Sequence, residues 1–172
     1  MTTPLRLLFI WPSCDFSVWD VARGYRRALA KLLGEENIRD YYLNKHSAYH
    51  MKALPPIAAK DVAVVAKHAT ENVLNEALYF NADLVLIVSG LNFHPIALWL
   101  LQRVGIPAAA ILTESPYDDE NQSDWSKTYS GMTVFTNERT SAERYGWTYL
   151  RHAHDPGIHR LIPSSQLSYH NH

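Results

Sequence analysis

The sequence predicts an α/β protein with a Rossmann-like three-layer fold, in which helices cover both faces of a mostly parallel sheet. Short apolar runs without polar alternation are typical of strands that are buried on both faces. These runs alternate with segments of helical periodicity, which favours crossover connections between parallel strands. With 172 residues, 47% hydrophobic and 19% charged, the chain can bury a substantial core. We expect one domain over residues 1–160 and an irregular tail over 161–172.

The first half of the chain is expected to contain three strands and two long helices. The strands are predicted at 5–11, at 38–43, which is shorter, and at 83–88, which is a continuous apolar run. The helix at 17–33 has a serine at its start, where an N-cap belongs, and Gly34 stops it. The second helix spans 58–80, where apolar residues recur at helical spacing. The segment 44–56 is expected to be an irregular loop ending in two prolines.

The second half is expected to continue the alternation with shorter elements. A helix at 95–104 has proline in its first turn and ends at Gly105. A strand at 106–112 follows, and the Ser115-Pro116 pair ends it because proline donates no hydrogen bond. The segment 118–127 is expected to be a polar loop with at most one helical turn. A strand, a helix and a last strand are then predicted at 133–136, 137–145 and 147–150.

The composition excludes several classes of function. Sixteen basic and 17 acidic residues give a net charge of −1, so there is no nucleic-acid signature. No apolar stretch approaches the length of a membrane span, and we expect no membrane association. The single cysteine, Cys14, fits a reducing compartment, so we expect a cytoplasmic protein.

Cofactor and metal motifs are also absent. The chain lacks the glycine-rich turn of dinucleotide-binding folds, the phosphate-binding P-loop and the G-x-S-x-G nucleophile turn. No tightly bound cofactor is therefore expected. Five of the nine histidines lie at 152–172 without helix-borne partners or nearby cysteines, so we predict no tight metal site.

The candidate site consists of the turns that follow the predicted strands, because the carboxyl ends of parallel strands meet at one edge of a sheet. The candidate catalytic bases are Asp15, Glu114 and His94. The candidate substrate-binding residues are Trp11, Ser13, Ser89, Asn92, Ser115, Tyr117, Asn137 and Glu138. Carboxylates beside neutral hydrogen-bonding groups and aromatic faces suit a polyhydroxylated ligand. Taken singly, each residue has an ordinary alternative role; Asn137 and Asp15, for example, stand where helix caps belong.

The order and spacing of three segments resemble a known family. They are TESPYDDE at 113–120, VFTNE at 134–138 and YLRHAHDPGIH at 149–159. Together they are similar to the amino-terminal half of GT-B-type glycosyltransferases, most closely the bacterial and phage group related to spore-maturation glycosyltransferases. The resemblance implies the acceptor-side domain of a sugar-nucleotide-dependent transfer to a small-molecule, glycan or other hydroxyl acceptor. The third segment would be the interdomain hinge.

In that family a second domain follows the hinge and holds the sugar-nucleotide donor. The sequence ends at His172, shortly after the hinge-like segment. The resemblance therefore implies that a second domain or polypeptide supplies the donor site, and that a nucleotide-sugar binds only in its presence.

Two other functions stay open. The chain could be a non-catalytic binding or interaction domain that keeps the fold, or a small stand-alone hydrolase of flavodoxin-like shape. A half-enzyme predicts partly exposed aromatic residues at the edge of the crevice, because exposed apolar patches mark interaction surfaces. A stand-alone enzyme predicts that the same residues close over a compact pocket. These residues are Trp11, Phe16, Phe93, Tyr117 and Trp125.

Overall fold

The protein is built on a six-stranded, all-parallel sheet. The computed structural model describes residues 4–14 and 17–151, apart from the side chain of residue 17. The strands are β1 (Leu7–Trp11), β2 (Ile38–Tyr42), β3 (Leu84–Val88), β4 (Ala108–Leu112), β5 (Thr133–Thr136) and β6 (Thr148–Tyr149). They lie in the order β2-β1-β3-β4-β5-β6. This arrangement confirms the predicted Rossmann-like α/β fold.

The helices cover both faces of the sheet. They are α1 (Ser17–Leu33), α2 (Leu43–Ala53), α3 (Pro56–Ala59), α4 (Val62–Thr70), α5 (Val73–Phe80), α6 (Pro95–Arg103), α7 (Asp119–Lys127) and α8 (Arg139–Tyr145), with a 3-10 turn at Glu35–Asn37. Among the described helices, none is long and apolar enough to cross a membrane.

The central strands divide their side chains between two hydrophobic clusters. In β1, Leu8 and Ile10 pack with α4, α5 and α6, whereas Leu7 and Phe9 pack with α1 on the opposite face. All five residues of β1 and of β4 are buried. A strand that is covered on both faces needs apolar residues at every position, which explains the absence of alternation in its sequence.

Two segments that were predicted to be loops are helices. The prediction for 44–56 was wrong because α2 occupies most of it and buries only Leu43 and Ser47, so its apolar periodicity is faint. The prediction for 118–127 was wrong because the buried face of α7 is polar. A polar buried face produces no apolar stripe for a periodicity argument to find.

The predicted long helix at 58–80 is three consecutive helices. The first ends at Ala59, and Asp61 then caps α4, accepting hydrogen bonds from the backbone N–H groups of Ala63 and Val64 at 2.9 and 3.3 Å. An aspartate at this position satisfies N–H groups that have no partner within the helix. The polar pair Glu71 and Asn72 then separates α4 from α5.

Candidate functional site

The strand order reverses between β1 and β3, and in parallel sheets ligands bind outside the carboxyl ends of the strands at such a point. The turn after β1 and the turn after β3 meet there. The side-chain amide of Asn92 donates a hydrogen bond to Ser13 Oγ at 3.2 Å across the gap. The backbone of Ser89, Gly90 and Asn92 has positive φ, at 74°, 76° and 57°. This sharp turn brings two of the predicted binding residues together.

Glu114 joins the turn after β3 to the turn after β4. Its Oε1 atom accepts hydrogen bonds from Ser89 Oγ at 2.9 Å and from Thr113 Oγ1 at 2.8 Å. Ser89 is fully buried, whereas Glu114 is only half-buried. Within the described part of the chain, Oε2 of Glu114 accepts no hydrogen bond. The carboxylate is therefore held through one oxygen while the other remains available to a ligand.

The indole of Trp125 in α7 supports the turn after β3. Its Nε1 donates a hydrogen bond to the carbonyl oxygen of Phe93 at 2.8 Å. The ring also lies so close to Gly90 that a Cβ atom there would meet its Cη2 at 2.9 Å. Helix α7, which the sequence did not predict, thus fixes the position of the turn that carries Ser89 and Asn92.

His94 caps the start of α6. Its Nδ1 accepts a hydrogen bond from the backbone N–H of Ile96 at 3.2 Å, so only Nε2 is left for a ligand. Partial burial lowers the pKa of His94, the nearby Lys67 lowers it further, and Glu71 opposes both. These interactions favour the neutral ring that a helix cap requires.

The fourth turn of the predicted site, after β5, leads directly into α8. Glu138 caps α8, with Oε2 accepting from the backbone N–H of Ser141 at 2.7 Å. The cap was expected at Asn137, which is half-buried one residue earlier. Glu138 Oε2 also lies 3.1 Å from Ser141 Oγ, and that hydroxyl donates to Asp119 Oδ2 at 2.5 Å. Sequence reasoning missed Asp119 and Ser141 as neighbours because the two residues lie on separate helices.

The aromatic residues that were predicted at the edge of the crevice differ in their exposure to solvent. Trp11 and Phe93 are only 6% and 2% exposed, so the expectation that they line an exposed edge was wrong. Trp11 ends β1 and packs into the core, and its Nε1 donates to Asp40 Oδ1 at 2.8 Å. Tyr117 is 94% exposed, and Trp125 is half-buried in α7.

Of the remaining predicted site residues, Ser115 is described by the structure and Asp15 is not. Ser115 is half-buried, and its Oγ has no hydrogen-bond partner in the described structure. Asp15, Phe16 and the hinge-like segment 152–159 lie outside the described residues.

Two cavities open at the opposite edge of the sheet. One, of about 380 Å³, lies between α7 and the carboxyl-terminal end of α8 and is lined by Ser126, Tyr145 and Trp147 among others. The second, of about 410 Å³, is lined by residues that include Pro107 and Thr133 near the amino ends of β4 and β5. None of the predicted site residues that the structure describes lines either cavity. The concavity expected to join Ser13, Asn92, Glu114 and Asn137 therefore stays a prediction.

Within 4–14 and 17–151 there is no group of three or more His, Cys, Asp or Glu side chains arranged to hold a metal ion. The absence of a tight metal site stays a prediction for the chain as a whole.

The fold and the candidate site define a Rossmann-like α/β domain with polar turns at the carboxyl edge of its sheet. No family model, no curated protein and no solved structure matches the chain. The resemblance to glycosyltransferases therefore rests on the residues of the chain alone.

Proposed function

We propose that the chain is the acceptor-side domain of a glycosyltransferase-like protein, and that it binds a hydroxyl-bearing small molecule or glycan at the carboxyl edge of the sheet. The observation that supports this proposal is the geometry of Glu114. Ser89 and Thr113 occupy one carboxylate oxygen, and the other faces no protein donor in the described structure. A fixed carboxylate with one open oxygen suits a ligand hydroxyl, which donates a hydrogen bond.

In the proposed reaction Glu114 acts as general base. The acceptor hydroxyl donates to Oε2, and its proton moves to the carboxylate as the hydroxyl oxygen attacks the anomeric carbon of the donor sugar. The bond from that carbon to the nucleoside diphosphate breaks, and the diphosphate leaves with the electron pair. Asp15 is the other carboxylate candidate for the base, and His94 could act only through Nε2.

The donor sugar-nucleotide is held by a second domain or polypeptide in this proposal. The chain offers no glycine-rich phosphate loop of its own. The proposed setting is the cytoplasm of a bacterium or a phage-infected cell. The single cysteine fits a reducing compartment, and the bacterial or phage source is suggested by the resemblance alone.

Three measurements separate this proposal from its rivals. Calorimetric titration with a panel of nucleoside-diphosphate sugars is expected to give no micromolar binding, and micromolar binding would contradict the half-enzyme proposal. Phosphate release without a sugar donor would favour a stand-alone hydrolase. Transfer activity that appears when a second polypeptide is added would distinguish the proposal from a purely binding domain.

Glu114→Gln tests the proposed base directly. Glutamine keeps an oxygen for Ser89 and Thr113 but removes the charge, so acceptor binding should weaken by about 10–100-fold, as a hydrogen bond to a charged group is worth about 1.5–3 kcal/mol. Glu120→Gln is the matched control, because Glu120 is exposed on α7. Equal acceptor affinity in the two variants would count against Glu114.

A further inference from the structure

Helix α7 has an unusual buried face made of polar residues. These are Asp119, Gln122, Ser123 and Ser126, which recur at helical spacing. At one end of the face, Asp119 meets Ser141 of α8. At the other end, Ser126 shares a cavity with Tyr145 of α8. Gln122 lies between the two ends, so its side chain also faces α8.

Two carboxylates meet at one hydroxyl at the carboxyl-edge end of this face. Ser141 Oγ lies 2.5 Å from Asp119 Oδ2 and 3.1 Å from Glu138 Oε2. A hydroxyl carries one proton and can donate to only one of two carboxylates. In the described structure neither carboxylate has a Lys, Arg or His partner within 4.0 Å. Among the described residues, the two carboxylates are therefore stabilised by hydrogen bonds and by the amino-terminal ends of α7 and α8, but not by a basic side chain.

Two oxygen atoms on the buried face of α7 lack a hydrogen-bond donor in the described structure. Asp119 Oδ1 and Gln122 Oε1 are buried and accept no hydrogen bond from the described residues. The two residues are only 9% and 5% exposed. Buried oxygens without donors are rare and costly, and they call for an explanation. The unsatisfied atoms on Asp119 and Gln122 are acceptors, and the Glu138 carboxylate that shares Ser141 with Asp119 can also only accept, so a cation matches this group and an anion does not.

We propose that Asp119, Glu138 and Gln122 bind a hard divalent cation, Ca²⁺ or Mg²⁺. Carboxylate and amide oxygens are the ligands that these ions prefer. With only two carboxylates, the site is expected to bind with a dissociation constant of about 0.1–1 mM, far weaker than a structural zinc site. The ion would join the start of α7 to the start of α8. Its binding does not depend on the function proposed for Glu114.

The test uses the full chain freed of metal by chelation. CaCl₂ and MgCl₂ are titrated separately by calorimetry, and the melting temperature is recorded with and without each salt. Asp119→Asn should weaken binding by about 10–100-fold and abolish the rise in melting temperature. Asp124→Asn is the matched control on the same helix, because Asp124 is 82% exposed and pairs only with Lys127 in the described structure. Its affinity should equal that of the wild type.

A second variant keeps the proposal open to refutation if Asp119→Asn fails to fold. Glu138→Gln retains an oxygen for the backbone N–H of Ser141, and it should also lose about 10–100-fold in affinity. Absence of saturable binding of either ion by the wild type up to about 10 mM, ten times the expected range, would overturn the proposal. Equal weakening by Asp119→Asn and Asp124→Asn would overturn it as well, since it would indicate diffuse surface attraction.

Discussion

Replacing Gly90 by alanine is expected to destabilise the protein by about 2–5 kcal/mol, from two separable effects. Gly90 has φ of +76°, and an L-residue in the left-handed region costs about 1–2 kcal/mol. The added Cβ would also lie 2.9, 3.0 and 3.3 Å from three atoms of the Trp125 ring. The ring must then move and strain its hydrogen bond to Phe93, and overpacking of this kind costs about 1–3 kcal/mol.

Gly105→Ala is the matched control for the backbone effect. Gly105 has φ of +74°, but no atom lies within 4 Å of a Cβ placed there. Its alanine variant should therefore lose only the about 1–2 kcal/mol of backbone strain. The difference between the two variants isolates the contact with Trp125.

The free energies of unfolding are measured by urea denaturation with far-ultraviolet circular dichroism, because a fluorescence signal would change in any Trp125 variant. In a Trp125→Ala background, Gly90→Ala should cost only the backbone term, since the ring is absent. Equal losses for Gly90→Ala and Gly105→Ala would refute the reasoning. So would an undiminished loss for Gly90→Ala in the Trp125→Ala background.

Two further predictions concern charge and pH. Asp40→Ala should lower the free energy of unfolding by about 2–4 kcal/mol, measured with urea, because Asp40 accepts hydrogen bonds from Trp11 and from the largely buried Arg26. The exposed control Asp124→Ala should lower it by at most about 1 kcal/mol, and similar losses in the two variants would contradict the prediction. Burial lowers the pKa of His46, His50 lowers it further, and Glu76 opposes both. The pKa of His94 is lowered chiefly by burial, as described above. Both histidines therefore bind a proton more readily in the unfolded chain than in the folded one. The free energy of unfolding should fall as the pH drops below about 6.5, and it should level off below the lowered pKa values of the folded state. In the double variant His46→Phe, His94→Asn, the free energy of unfolding should fall less between about pH 7 and 5. Urea unfolding at a series of pH values measures this, and the same pH dependence as in the wild type would show that these two histidines are not responsible.

The core strands could be predicted because their burial leaves a direct trace in the sequence. The runs in β1 and β4 are apolar at every position, as burial on both faces requires. Helices α2 and α7 have no clear apolar stripe in their sequences. One buries few side chains and the other buries polar ones, and only tertiary contacts make them helical.

The candidate site could be predicted at the level of turns but not of contacts. Parallel topology alone places Ser13, Ser89 and Glu114 at one edge of the sheet. The direction of a side chain depends on packing, which is why Trp11 and Phe93 proved to be core residues. The contact between Asp119 and Ser141 joins residues 22 positions apart on different helices, and no local pattern predicts it.

The proposed acceptor site is tested most directly by recording ¹H–¹⁵N nuclear magnetic resonance spectra during titration with a panel of saccharides and polyols. We predict that the perturbed amides fall in the turns at 12–14, 89–92 and 113–117, and that Glu114→Gln removes the perturbations while Glu120→Gln does not. Perturbations confined to the cavities near Pro107 and Tyr145, or an unchanged response in Glu114→Gln, would contradict it.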